Sequence, residues 1–246
     1  MNAGGRSSLL VVPTYNEASG IEDLIDQALA AVPGLDILVV DDNSPDGTGE
    51  LVAKRAEFEP RLRLLSRPSK QGLGRAYIAG FRRGLSDEYD RFIEMDADLS
   101  HDPRDLARLI RAAGEADLVI GSRYVAGGSV EGWSRGRHAL SAAANRYAQV
   151  MLGHHIKDST SGFRCYRREV LEMLDLDSIS SQGYAFQVEM AFRASQAGFR
   201  VKEIPIAFRE RRTGASKMSK QIVLEGMIWV TRAGLKNRAG RFRRRR

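Results

Sequence analysis

Four short apolar runs in the first half of the chain, SLLVVP (8–13), LDILVVDD (35–42), RFIEMDAD (91–98) and DLVIGSR (117–123), each run into a polar, turn-rich cluster. Runs of this kind, without sustained polar alternation, are strands covered on both faces. Between them apolar residues recur at helical spacing, as in Ile21, Leu24, Ile25, Ala28 and Leu29, and in Leu106, Leu109 and Ile110. Strand alternating with helix predicts a parallel sheet packed between helices. Ser100 and Asp102 ahead of Pro103 predict a helix start near Pro103. In the second half, helical patterns at 136–152 and 183–197 flank a turn at 158–164, and a strand is expected over 201–208. No repeat and no biased linker divides the chain, so its 246 residues suit one sizeable α/β domain.

The composition, 43% hydrophobic and 28% charged, excludes a disordered or fibrous chain. The formal net charge of +7 raises the question of nucleic acid, and the position of the charge answers it. LKNRAGRFRRRR carries seven cations, Lys236, Arg238, Arg241 and the four arginines 243–246, and no acid; the remainder has 31 basic and 31 acidic residues. A neutral body with a cationic end suits an anionic membrane surface or a solvated, disordered tail over 236–246, and no nucleic acid is expected as a partner. The lone Cys165 forms no internal disulfide and permits a reducing compartment. SLLVVP is too short for a secretory signal, and the most apolar window, IVLEGMIWV (222–230), is interrupted by Glu225 and too short to span a bilayer. Residues 220–235, KQIVLEGMIWVTRAGL, fit an interfacial amphipathic helix or a helix packed on the domain.

In open parallel sheets ligands collect beyond the carboxyl ends of the strands. Four clusters fall there: Thr14-Tyr15-Asn16-Glu17, Asp41-Asp42-Asn43-Ser44, Asp96-Ala97-Asp98 and Ser122-Arg123-Tyr124. In an extended chain Asp96 and Asp98 point the same way and place two hard oxygen donors at one spot. Such a pair holds a divalent ion whose remaining ligands are substrate phosphate and water, or it caps the following helix. Asp42 can accept from a ribose hydroxyl or a base edge, with Ser44, Asp46 and Gly47 forming a turn, and Tyr15 can wall a base. Neither GxGxxG nor GxxxxGK[ST] is present, and QGLGRAYIAG (71–80) is expected as a tight turn entering a helix. His101, His138, His154 and His155 lack metal-ligand spacing, and His101 is expected at most to cap.

PTYNE, VVDDNSPDGT, QGLGRAYIAG, MDADLSH, GSRYVAGG, SGFRCYRREVL, YAFQVEM and RRTGASK, in this order, resemble polyprenyl-phosphate (dolichyl-phosphate) mannosyltransferases of the family 2 glycosyltransferases, over roughly residues 8–230. The resemblance implies a GT-A-type, Rossmann-like nucleotide-diphosphate-sugar transferase domain with a mostly parallel central sheet, over 1–219. It implies GDP-mannose as donor, a polyprenyl monophosphate as acceptor, and Mg2+ or Mn2+ as cofactor. Pro13, Tyr15, Glu17, Val40 and Asp42 match nucleotide-contacting positions, with Asp96, Ala97 and Asp98 at the metal and diphosphate. Ser100 stands where some relatives carry a metal-ligating glutamine. Arg123, Arg137 and Ser141 match acceptor-phosphate positions, and Arg211 and Lys217 match basic residues that close over the donor. A sister enzyme using UDP-glucose with the same acceptor is the alternative; a sugar-phosphate nucleotidyltransferase would open with a glycine-rich basic loop in place of PTYNE. A lipid acceptor implies a peripheral protein on the cytoplasmic side of a membrane, with a membrane-anchoring partner subunit as a further expectation.

Overall fold

A computed structural model describes residues 6–179, 181–210 and 220–243. Its centre is a seven-stranded sheet formed by β1 (Arg6–Thr14), β2 (Asp36–Asp41), β3 (Leu62–Ser66), β4 (Tyr89–Glu94), β5 (Leu118–Ser122), β7 (Arg164–Arg167) and β8 (Val201–Pro205), in the order β3-β2-β1-β4-β7-β5-β8. All pairings are parallel except those of β7, which runs antiparallel between β4 and β5. A two-stranded ribbon pairs β6 (Ser129–Glu131) with β9 (Ala207–Arg209).

Each apolar run serves two cores by alternation. Leu9 and Val11 of β1, with Leu38 and Val40 of β2, face one cluster; Leu10, Val12, Ile37 and Val39 face the other. The first cluster is covered by α3 (Leu73–Ser86), α6 (Arg168–Met173) and α7 (Gly183–Gln196), the second by α1 (Ile21–Ala31), α2 (Thr48–Ala56) and α4 (Leu106–Ala112). Helix α3 lies unusually close to the sheet. A Cβ built on Gly80 would sit 2.4 Å from Val11 Cγ1, and one on Gly84 2.5 Å from Leu9 Cδ2.

The expected helix start near Pro103 is a short 3-10 turn, Pro103–Asp105, leading into α4, and its cap is Asp102, which accepts from the Arg104 N–H. His101 does not cap. It is buried, its ring stacked on Phe163 and edge-on to Phe208. The expected strand at 91–98 ends at Glu94, and 97–98 form a turn followed by Leu99 at φ +57°. Asp96 and Asp98 therefore lie on a loop, not in line along a strand.

The two remaining helices, α5 (Arg135–Leu152) and α8 (Lys220–Arg243), pack with α7 around Ala148, Leu152, Val188 and Val230. Helix α8 continues through Arg243, which corrects the expectation of a disordered tail from 236. Lysine and arginine are good helix formers, and tertiary contacts hold this end: Asn237 donates to the Leu152 carbonyl and Arg238 to that of Val150, satisfying carbonyls in the last turn of α5. Residues 224–235 divide between packed and exposed positions. Trp229, Val230 and Ala233 are packed, while Leu224, Met227, Ile228 and Leu235 are exposed. Among the described residues no helix is long and apolar enough to cross a membrane.

Candidate active site

Strands β1, β2 and β4 deliver their carboxyl ends to the point where the strand order reverses, and a cavity of about 480 Å3 opens there. That volume suits a ligand of nucleotide-sugar size, within the roughly 300–1,000 Å3 of ordinary small-molecule sites. Pro13, Tyr15, Glu17 and Asp42 line it, and so do Asp96, Ala97 and Asp98. Val40 does not: its side chain is fully buried in the core one residue short of the strand end.

The side of the cavity towards β1 and β2 is held by carboxylates bonded to backbone and hydroxyl groups. Asp41 accepts from the Thr14 and Ser44 hydroxyls and the Ser44 N–H, tying β1 to β2. Asp46 accepts from the Ala18 and Thr48 N–H groups and the Thr48 hydroxyl, joining the 43–48 turn to the loop after β1. Asp42 pairs with Arg67 at 2.7 Å and accepts the Gln71 N–H, which fixes the entry to α3. Burial raises its pKa against the opposing pull of Arg67. The Lys70 ammonium sits 4.1 Å from the Tyr15 ring centroid, giving that wall a cationic face. The expected turn into a helix at 71–80 is present, with Gly72 at φ +96°, a backbone conformation that favours glycine.

A second, smaller pocket adjoins the first, and Asp96, Asp98, Thr160, Gly162 and Tyr184 line both. The two aspartates thus stand at the junction. Asp96 accepts from the Tyr77 hydroxyl at 3.4 Å, and its Oδ2 lies 3.3 Å from where a Cβ on Gly162 would be, so glycine leaves that carboxylate room. Asp98 accepts the Ser100 N–H at 3.1 Å, a turn contact two residues on; the following helix is capped by Asp102, so neither aspartate of the pair caps it. Ser100 is buried and lines the smaller pocket. Among the described residues no group of three or more His, Cys, Asp or Glu could hold a metal by itself. The donor set present, two hard carboxylates at the mouth of a cavity, fits an ion that takes its other ligands from substrate and water.

Arg123 and Arg137 both line the smaller pocket. Arg123 is buried and bonded to Asp158 through Nε at 2.7 Å and Nη2 at 2.6 Å, with Thr160 as a further acceptor. Burial opposes ionisation of Asp158, yet the hydrogen bonds and charge of Arg123 hold its carboxyl below the usual range. Arg137 lies over the Trp133 ring, 4.2 Å to the centroid, and pairs with Glu210 at 2.6 Å. Ser141 is one turn along α5 from Arg137 and does not line the pocket; its carbonyl accepts from Asn145, which also reaches Thr160. Arg211 and Lys217 lie outside the described residues.

Of the four expected clusters, Asn16, Asp41, Asn43, Ser44 and Ser122 line neither pocket, and Tyr124 lines a separate groove. Sequence reading misses Asp158 and Thr160, which position Arg123, and Glu94, fully buried beneath Asp96 beside Arg164, where burial pushes its carboxyl up to about 7. Asp158 and Thr160 sit in DSTSGFR, which reads as a plain turn; a charged residue in so small-residue a segment is the available signal.

The glycosyl transferase family 2 profile matches residues 9–174. The chain belongs to that family. It is 50% identical over 227 residues to the undecaprenyl-phosphate mannosyltransferase of Micrococcus luteus, covering 92% of this chain and 93% of the relative. It is 48% identical over 238 residues to the polyprenol monophosphomannose synthase of Mycolicibacterium smegmatis, covering 96% and 90%. Among solved structures, glucosyl-3-phosphoglycerate synthase from Mycobacterium tuberculosis, in complex with phosphoglyceric acid, superposes with a TM-score of 0.69 at 20% identity over 93% of this chain and 80% of that one. A mannosyltransferase from Pyrobaculum calidifontis, in complex with GDP-Man and Mn2+, gives 0.56 at 17% identity over 97% and 75%. These structural likenesses establish the GT-A-type fold of this family 2 glycosyltransferase.

Proposed function

We propose that this family 2 glycosyltransferase moves mannose from GDP-mannose to a polyprenyl monophosphate, giving polyprenyl-phosphate β-mannose and GDP. The observation that carries the reading is the placement of Asp96 and Asp98 between a nucleotide-sized cavity and a small pocket lined by Arg123 and Arg137. The near-50% identity to the two polyprenol-phosphate enzymes supports the choice of sugar and acceptor.

The donor's nucleoside occupies the side walled by Tyr15, Lys70 and Asp42, with Pro13 and Glu17 beside it. Its diphosphate points to Asp96, Ala97 and Asp98. Those two carboxylates, with Ser100 near them, hold Mg2+ or Mn2+, which neutralises charge gathering on the leaving diphosphate. The acceptor phosphate enters beside Arg123, Arg137 and Ser141. Arg123 is fixed in advance by Asp158, whereas Arg137 must exchange Glu210 for the phosphate.

A lipid monophosphate carries about −1.5 to −2 charge at neutral pH and needs no base to activate it. One of its oxygens forms the bond to the anomeric carbon as the carbon–oxygen bond to the diphosphate breaks, from the opposite face, with inversion. Catalysis then rests on alignment and charge stabilisation. The chain acts at the cytoplasmic side of a membrane, held through the exposed Leu224, Met227, Ile228 and Leu235 of α8 and the basic end of the chain.

Incubation with radiolabelled GDP-mannose, a divalent ion and a short polyprenyl phosphate is expected to give a labelled lipid, and Asp98→Ala is expected to give none. Labelling from UDP-glucose in place of GDP-mannose would move the assignment to the sister activity. Full transfer and vesicle binding by the isolated chain would remove the need for an anchoring partner subunit.

A further inference from the structure

On the far side of α5 from the two catalytic pockets, a groove of about 470 Å3 lies between the helix and the 153–157 loop. Its walls include Arg146, Lys157, His155, His154, Tyr124 and Val150, and no carboxylate lines it. Arg146 donates to the Gln149 amide oxygen; neither the Arg146 nor the Lys157 side chain forms an ion pair among the described residues, while the Lys157 backbone N–H donates to Glu203 at 2.8 Å. Two buried polar atoms of the lining residues, Tyr124 Oη and His154 Nε2, also lack a partner there.

The state of His154 follows from its contacts. Its Nδ1 accepts the Ile156 N–H, so the neutral ring carries its hydrogen on Nε2. Burial holds its pKa down at about 4, so the ring stays neutral near pH 7. A hydroxyl and an imidazole N–H buried without acceptors, beside two cationic side chains outside any ion pair among the described residues, call for an oxygen-rich anion.

Val150 says where that anion comes from. It lines the groove, is 53% exposed, and its carbonyl accepts from Arg238 of α8. The groove therefore opens where the end of α5 meets the C-terminal part of α8, beside the exposed Val150 and one turn from the exposed Leu235. We propose that it binds a phosphate group, that of an anionic phospholipid headgroup, at a site separate from the donor and acceptor pockets. Binding there orients the chain on a bilayer and needs no sugar transfer.

The test uses the full chain and no donor. Co-sedimentation with phosphatidylcholine vesicles, with and without phosphatidylglycerol, is expected to show binding that depends on phosphatidylglycerol. Arg146→Gln with Lys157→Gln is expected to weaken it by about 30-fold, two cations each near a charged surface. Lys54→Gln with Arg111→Gln, on the exposed sides of α2 and α4 across the sheet, serves as the charge-matched control and is expected to change it far less. Tyr124→Phe, which loses only the hydroxyl, is expected to weaken binding by about tenfold. Transfer to a short acceptor in detergent should be unchanged in the Arg146/Lys157 variant. Nitrogen NMR of the His154 side chain separates the sources: a shift with vesicles but not with inorganic phosphate supports the headgroup, and a shift with both supports a phosphate site that also takes soluble esters. Equal weakening in the two charge-matched variants, with a silent His154 signal, would overturn the proposal.

Discussion

Asp158→Asn isolates the buried pair that orients Arg123. In the wild type this carboxylate accepts three N–H groups of Arg123, from the backbone at 2.9 Å, Nε at 2.7 Å and Nη2 at 2.6 Å, and the side chains are 4% and 0% exposed. The amide keeps the shape but removes the charge and turns one acceptor into a donor facing a guanidinium. Leaving a buried charge without its partner costs about 3–5 kcal/mol, a large part of the roughly 5–15 kcal/mol that holds a domain folded. For a chain of this size that is a fall in melting temperature of roughly 6–20 °C. Thermal and urea unfolding measure it, and in a cycle of Arg123→Met, Asp158→Leu and the variant carrying both, the double variant should be more stable than those two singles predict. The sign with pH is fixed. The folded carboxyl lies below the ordinary value, so the pair's stabilisation is present above about pH 4 and fades as pH falls from there towards the folded value. Asp158→Asn should lack that acid-side loss. A melting temperature within about 2 °C of wild type, well under the shift expected for one kcal/mol or more, would refute the view that this pair fixes Arg123.

Gly80→Ala puts a methyl 2.4 Å from Val11 Cγ1, so α3 must lift from the sheet; a loss of about 1–3 kcal/mol in urea unfolding is expected. Tyr15→Ala removes the ring under Lys70 and should raise the KM for donor with little change in that for acceptor, as steady-state kinetics would show. Glu210→Gln frees Arg137 from its ion pair and is expected to lower the KM for acceptor, whereas Arg137→Gln is expected to raise it about tenfold or more, by loss of a charge-assisted hydrogen bond. Truncation after Leu235 removes the Asn237 and Arg238 bonds to α5 and should lower the melting temperature by a few degrees.

The strand ends were legible because each carries its own local signal. SLLVVP and LDILVV are apolar on both faces, and the residues just past them are polar whatever the rest of the chain does. Strand β3 was hidden because RLRLL alternates with arginine at a half-covered edge, and β7 because four residues, RCYR, are too few to show a period. The aspartate pair is legible by type and spacing, but its loop backbone is not: Leu99 adopts a left-handed conformation that no pattern of apolar residues announces. The Arg123–Asp158 pair spans 35 residues, and only the folded chain brings it together. The arginine-rich end read as solvated because nothing local shows that Arg238 and Asn237 reach carbonyls of α5.

The central claim, that Asp96 and Asp98 hold an ion against the donor's diphosphate, is tested most directly by calorimetric titration of GDP into the protein with Mg2+ or Mn2+ and again with chelator. GDP should bind at least about tenfold more tightly with the ion, a difference of about 1.4 kcal/mol, and Asp98→Ala should bind it equally weakly in both. The same affinity with and without the ion in the wild type would contradict the account.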